Sequence, residues 1–204
     1  MGDIKDLQTR IDYYKYIHTF GGGIREPRWR GARVVKFPQD LILYSQVIFK
    51  RKPDYIIETG TAYGGSAMFF GDMLMLSGGK KVFSIDIKPK VQPPAHPFVE
   101  YFLGSSTDPS IVDKIKQQIN GSVMAVLDSD HRSAHVLKEM EIYSEIVTSG
   151  QYMVVEDCYT RKDVPFYPYH AVKKFMEKRT DFKLYNLEKQ FIFAVTMGGW
   201  LRKR

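Results

Sequence analysis

YIIETGTAYGGSAMFF, residues 55–70, starts as a β-branched run, crosses a glycine-rich turn and continues as an apolar stretch to residue 77. Strand, turn and helix are the expected reading, and the run KVFSID (81–86) supplies a second strand. Downstream the rhythm repeats. FVEYFL (98–103), VMAVLD (123–128) and YMVVED (152–157) read as strands, with amphipathic stretches at 109–119, 133–148 and 168–179 between or after them. Asp108-Pro109 is an N-cap followed by proline at the first helical position. This alternation predicts an α/β fold with a mostly parallel sheet and helices on both faces.

After residue 180 the pattern changes. FKLYNL (182–187) and FIFAVTM (191–197) are β-like runs separated by three residues, which reads as a hairpin and forces one strand antiparallel. Five parallel strands and a terminal antiparallel hairpin make a seven-stranded sheet, the strand inventory of the Rossmann-like class I methyltransferase fold. Residues 1–50 read as a helical N-terminal extension with a basic Gly/Arg/Pro loop from Gly21 to Pro38, and 51–204 as one compact domain.

Composition bounds the setting. A chain of 204 residues that is 44% apolar suffices for one well-packed domain. One cysteine, Cys158, allows no internal disulfide and suggests a reducing, cytoplasmic environment. No apolar run approaches the ~20 residues of a membrane span, and the N-terminus lacks the apolar centre of a secretory signal. The net charge of +7 collects partly in Arg25, Arg28, Arg30 and Arg33, and partly in Arg202, Lys203 and Arg204. The latter read as a solvated tail. The former could face an acidic substrate, a partner subunit or nothing; no familiar nucleic-acid module accompanies them, which argues against nucleic acid.

The loop Glu58-Thr59-Gly60-Thr61-Ala62-Tyr63-Gly64-Gly65-Ser66 carries the first chemical signal. Glycines at a strand-to-helix turn permit unusual dihedrals and close ligand approach. A helix starting near Gly64 aims N–H groups at a carboxylate, such as that of a methionine moiety. Asp86, ending the next strand, suits two ribose hydroxyls. These features favour S-adenosylmethionine, with Glu58 in the place a methyltransferase gives its acid. A dinucleotide site is the rival, although Ala62 stands where G-x-G-x-x-G needs its second glycine. A bare turn whose glycines serve packing is the other alternative.

Two more strands end in acids, Asp128 in LDSDH and the pair Glu156-Asp157 in VVED. Ends of parallel strands open on one edge, where ligands of open α/β sheets bind. Three carboxylates converging there repel one another unless a cation neutralises them, and hard oxygens favour Mg²⁺ or Ca²⁺. Such a cation lowers the pKa of a substrate hydroxyl and orients it toward the sulfonium methyl. His131 could take the proton, or it could be a loop histidine that caps the following helix. Glu156 and Asp157 could equally be solvated loop carboxylates. His135 and His170 are lesser candidates, Tyr159, Tyr167 and Tyr169 suggest a lid at 158–169, and Cys158 reads as inert.

The blocks WRGARVVKFPQDLILYSQVI, KPDYIIETGTAYGGSAMFF, VLDSDHRSAHVLKEMEIY and VVEDCY, between Trp29 and Leu201, resemble the cephalosporin hydroxylase and rhamnosyl O-methyltransferase family. That resemblance implies a class I methyltransferase fold, binding of S-adenosylmethionine and Mg²⁺, and frequent oligomers. The site also resembles the more distant catechol O-methyltransferase. Its E-x-G-x-x-x-G-x-S loop matches Glu58, Gly60, Gly64 and Ser66, implying Ser66 on the methionine carboxylate, with Ala62 and Tyr63 inside the loop. Its ribose acid falls on Asp86. Its adenine segment G-x-S-x-D matches Gly104, Ser106 and Asp108, with Ser105 between. Its metal ligands fall on Asp128, Glu156 and Asp157, and its base on His131, where the catechol enzyme has lysine.

The resulting expectation is an S-adenosylmethionine- and Mg²⁺-dependent O-methyltransferase acting on a hydroxyl of a small molecule, a sugar or natural-product intermediate, and assembling as a homo-oligomer. The alternatives are a non-catalytic S-adenosylmethionine-binding subunit of a hydroxylase-type complex, and a nucleic-acid-modifying methyltransferase that uses the N-terminal arginines.

Overall fold

The computed structural model describes residues 27–158, 167–191 and 194–204. Arg25, the first part of the expected N-terminal extension and most of the expected lid lie outside those residues. A two-stranded antiparallel ribbon joins β1 (Arg28–Trp29) to β2 (Ala32–Arg33), within the stretch read as a basic loop. Seven further strands form one sheet: β3 (Tyr55–Thr59), β4 (Lys81–Asp86), β5 (Val99–Leu103), β6 (Val123–Leu127), β7 (Tyr152–Val155), β8 (Phe182–Tyr185) and β9 (Trp200–Lys203). Their order is β5-β4-β3-β6-β7-β9-β8, parallel from β5 through β7. β9 runs antiparallel to both β7 and β8. This is the class I methyltransferase arrangement expected from the strand inventory.

The central strands are mostly apolar because both faces are covered, as parallel sheets require, with Glu58, Thr59 and Ser84 as buried polar exceptions. In β3, Ile56 faces α1 (Pro38–Arg51) and α2 (Gly65–Ser77), whereas Ile57 joins a core with α3 (Pro109–Gln118), α4 (Ser133–Ser144) and α5 (Pro168–Lys178). α2 is apolar nearly all round and almost wholly buried, so its sequence shows little amphipathic pattern. α1 sends Leu43, Tyr44 and Ile48 into the same core as Phe70 and Val126. Asp108 caps α3 as expected, accepting from the Ser110 N–H at 2.9 Å. No helix among the described residues is long and apolar enough to cross a membrane.

The terminal hairpin exists, but its second strand is Trp200–Lys203 rather than FIFAVTM. Within 191–197, residues 192–193 lie outside the described set, and the N–H groups of Val195 and Thr196 are captured by the Asp40 carboxylate at 3.0 and 3.3 Å. A side chain thus takes donors that a strand would offer its neighbour. Gly199 then brings the chain back, so close that an added Cβ would lie 1.8 Å from the Val155 carbonyl oxygen. Arg202 and Lys203 are therefore strand residues and not a solvated tail. The Lys203 ammonium donates to the carbonyls of Ser144 and Val147 at 2.8 and 3.0 Å.

Candidate functional site

The carboxyl ends of β3, β4, β6 and β7 lie side by side. Thr59 is in register with Ile85 and Leu127, and Leu127 with Val155, so Gly60, Asp86, Asp128 and Glu156 each follow at the same edge. Backbone bonds extend the ladder past the strands: Gly60 N–H donates to the Ile85 carbonyl, Asp128 N–H to Thr59 and Glu156 N–H to Leu127.

The glycine loop fits this edge tightly. Gly60 has φ +92°, and a Cβ there would meet the Asp128 carbonyl oxygen at 2.0 Å. Only glycine satisfies both the dihedral and the approach. Gly64, at φ +75°, leads into α2, while Gly65 abuts the Arg33 carbonyl. Ala62 also adopts a left-handed φ of 48°, and its N–H donates to the Asp86 carboxylate at 2.8 Å. The second Asp86 oxygen accepts from the Lys88 N–H at 2.8 Å. Asp86 thus holds the loop's shape and keeps lone pairs for a ligand.

Beneath the loop, Glu58 is fully buried. It accepts from the Ser84 hydroxyl at 2.6 Å, which is itself 2.7 Å from Thr61 Oγ1, and Ser66 stands near it. Burial pushes its carboxyl up to about 7, with the Lys36 charge working against that rise. Its Oε1 is buried without a hydrogen-bond partner among the described residues. Tyr63 lies under the Arg33 guanidinium, 4.2 Å from ring centre to Cζ.

In the segment expected to face adenine, Ser105 and Ser106 diverge. Ser105 bonds Thr107 at 3.2 Å in a local turn. Ser106 is buried and donates to Glu139 at 2.5 Å, with His135 Nε2 at 3.3 Å from the same hydroxyl. Glu139 also accepts from the Ser129 hydroxyl at 2.6 Å, tying the segment after β5 to the loop after β6. His170 and Tyr169 sit in the first turn of α5 and stack edge to face on one another. Tyr167 is the N-cap of that helix, and Tyr159 lies outside the described residues.

At the acidic rim, Asp128, His131 and Asp157 each present a ligand atom within 4.8 Å of the others. His131 Nδ1 is 3.0 Å from Asp157 Oδ2. That hydrogen bond, opposed by partial burial and aided by the charges of Asp157 and Asp128, raises the imidazole to about 9. In this arrangement His131 carries a proton at neutral pH. Asp157 has φ +57°, a strained backbone at the point where the carboxylate turns toward His131.

Glu156 points the other way. It is buried, accepts from the Lys36 ammonium at 2.7 Å and from the Tyr44 hydroxyl at 2.6 Å. Lys36 also reaches Asp128 Oδ2 at 2.9 Å, so one ammonium bridges the ends of β6 and β7. Burial works against that ammonium, but Asp128, Glu156 and Glu58 outweigh it and push its pKa well above the usual lysine range. Burial raises the carboxyls of both Glu156 and Asp128, the charge of a neighbouring acid adds to the rise, and Lys36 opposes it. The acids of this rim therefore have an internal cation. Lys36 and Tyr44 are not singled out by the sequence; a lysine in VVKF gives no sign of burial, and its partners lie 92 and 120 residues away. Glu139 does leave a signal, one carboxylate in the buried phase of α4 beside Val136, Met140 and Tyr143.

Comparison with known proteins agrees with this architecture. A relative from Mycobacterium leprae, a rhamnosyl O-methyltransferase, is 32% identical over 189 residues, covering 86% of this chain and 82% of its own. One from Mycobacterium bovis with the same name is 36% identical over 136 residues, 63% of this chain and 56% of that protein. A solved CmcI structure with Mg and SAM superposes with a TM-score of 0.70 at 20% identity, covering 90% of this chain and 78% of the other, which shows a shared fold. The model of the Rhamnosyl O-methyltransferase/CmcI family matches residues 24–204, and the chain belongs to that family.

Proposed function

We propose that this chain transfers a methyl group from S-adenosylmethionine to a hydroxyl oxygen of a small molecule, with a divalent cation at the acidic rim. The observation that carries the reading is the junction of loop and rim: the α-carbon of Gly60 packs on the Asp128 carbonyl, so the glycine loop and the Asp128–His131–Asp157 cluster form one edge. Family membership supports the same reading.

The residues fit both groups. The Asp128 and Asp157 carboxylates, with ligand atoms within 4.8 Å of one another, suit a hard divalent cation. The buried acceptor Glu58 Oε1 suits the ammonium of a methionine moiety, and the N–H groups at the start of α2 suit its carboxylate.

When bound, S-adenosylmethionine supplies an electrophilic methyl on its sulfonium, and a divalent cation supplies Lewis acidity that lowers a hydroxyl's pKa. This chain's own residues do the rest. Glu58, Asp86, Ser66 and the loop Gly60–Gly64 hold the cofactor, with Ser105 and Ser106 toward its adenine. Asp128 and Asp157 hold the cation, and Glu156 joins them where Lys36 releases it. His131 pairs with Asp157 through Nδ1, and its Nε2 would take the hydroxyl proton from the neutral imidazole, a form that a cation on Asp128 and Asp157 would favour by offsetting the carboxylate charges that hold its proton.

A sugar hydroxyl is the first acceptor class to test, because the mycobacterial relatives are named for a rhamnosyl group. We also propose a homo-oligomer, supported by exposed apolar side chains of α1 and α2, Ile42, Phe49 and Leu76, and a cytoplasmic setting, supported by the single buried Cys158. The experiment is a screen of hydroxylated sugars and natural products with methyl-labelled S-adenosylmethionine, with and without MgCl₂. Label transferred to a hydroxyl supports the reading; label transferred only to nitrogen or carbon acceptors overturns it.

A further inference from the structure

Between the β1–β2 ribbon and residues 91–94 lies a cleft of about 520 Å³, a size suited to a small molecule. Arg28, Arg30 and Arg33 line it beside Tyr63, Gln92 and Pro94, and no carboxylate is among its described lining residues. The nearby acid, Asp72, accepts from Trp29 Nε1 at 2.7 Å and from Arg30 at 3.0 Å, and lies 3.1 Å from His96 Nε2. It pins the ribbon through Trp29 and pairs with Arg30. Arg28 donates to the Gly31 carbonyl through Nη1, one of its two terminal nitrogens. Arg33 lies over the ring of Tyr63, a contact that fixes the guanidinium at the wall of the cleft.

Two short tethers join this cleft to the acidic rim. Arg33 is three residues from Lys36, whose ammonium touches Asp128, and Tyr63 is three residues from Gly60, which packs on Asp128. Three residues span at most about 11 Å. A cationic wall thus adjoins an acidic one, and a molecule with an anion at one end and a hydroxyl elsewhere has one favoured orientation across them.

We propose that the arginine cleft binds an anionic group, a carboxylate or phosphate, of the acceptor, which rests on the methyl-transfer reading of the neighbouring rim. The probe is sodium pyrophosphate, titrated calorimetrically at low ionic strength into the wild type, Arg28→Ala/Arg33→Ala, and a control on exposed α5 residues, Lys173→Ala/Lys174→Ala. S-adenosylmethionine is titrated into the same three proteins. The expected result is pyrophosphate binding that weakens at least tenfold, on the order of 1.4 kcal/mol, only in the arginine variant, with cofactor affinity equal in all three. Absence of pyrophosphate binding to the wild type, or equal loss in the lysine control, overturns the proposal. So does a parallel loss of cofactor affinity, which assigns the arginines to the cofactor's own carboxylate. Arginine-dependent pyrophosphate binding by a protein that fails to bind S-adenosylmethionine keeps the cleft and sinks the methyl-transfer reading. If the alanine pair does not fold, Arg28→Lys/Arg33→Lys decides: it keeps the charge but not the fork, and unchanged affinity counts against arginine recognition.

Discussion

The Lys36 ammonium lies 2.7 Å from Glu156 Oε1, with both side chains almost wholly buried. It links the segment before α1 to the ends of β6 and β7. Removing one partner of a buried pair leaves the other charge without compensation, a cost of roughly 3–5 kcal/mol. Lys36→Met is therefore expected to destabilise the fold by that order in urea unfolding, and adding Glu156→Gln to recover part of the loss. An additive double variant would show that the two residues are not coupled.

Gly60→Ala is expected to be among the most damaging single-methyl changes in the chain. The new Cβ would lie 2.0 Å from the Asp128 carbonyl oxygen at a φ of +92°. Thermal melting should show a marked loss of stability, whereas Gly78→Ala, with open space around its Cβ, should lose only what its own positive φ costs. Equal melting temperatures for the two variants would contradict the close approach.

Much of this is legible in the sequence. The strands at 55–59, 81–86 and 123–127 announce themselves as short β-rich runs with apolar centres, a consequence of burial on both faces, and Asp108 caps α3 through local chemistry. The strand Trp200–Lys203 is not legible, since two of its four residues are basic and its pairing is set by distant partners. FIFAVTM looks more like a strand than WLRK does, but Asp40 takes its donors. The rim acids are visible at their strand ends, while the direction of each is not: adjacent residues of one turn send Asp157 to His131 and Glu156 to Lys36.

Asp40 carries a pH prediction. Burial, and then the Glu156 charge, push its carboxyl up to about 7, against the donors from Val195 and Thr196. Unfolded, it ionises near 4. Between those values the folded state holds a proton that the unfolded chain lacks, so its contribution is full below about pH 4 and is lost as pH rises to about 7. Asp40→Asn should lower stability at pH 5 and flatten the fall between pH 4 and 7 in urea titrations. An unchanged slope would show that Asp40 ionises normally.

For the rim, Asp128→Asn and Asp157→Asn are each expected to weaken Mn²⁺ binding at least tenfold by calorimetry. Glu156→Gln should weaken it less, because its carboxylate is engaged by Lys36 and Tyr44. Equal losses in all three variants would place Glu156 among the ligands on the same footing.

Methyl transfer by this chain requires that the glycine loop and Asp86 hold S-adenosylmethionine. Calorimetric titration of that cofactor into the wild type and Asp86→Ala, each with and without MgCl₂, tests it most directly. Saturable binding to the wild type and at least tenfold weaker binding to the variant are expected. Absence of binding to the wild type in both conditions would contradict it.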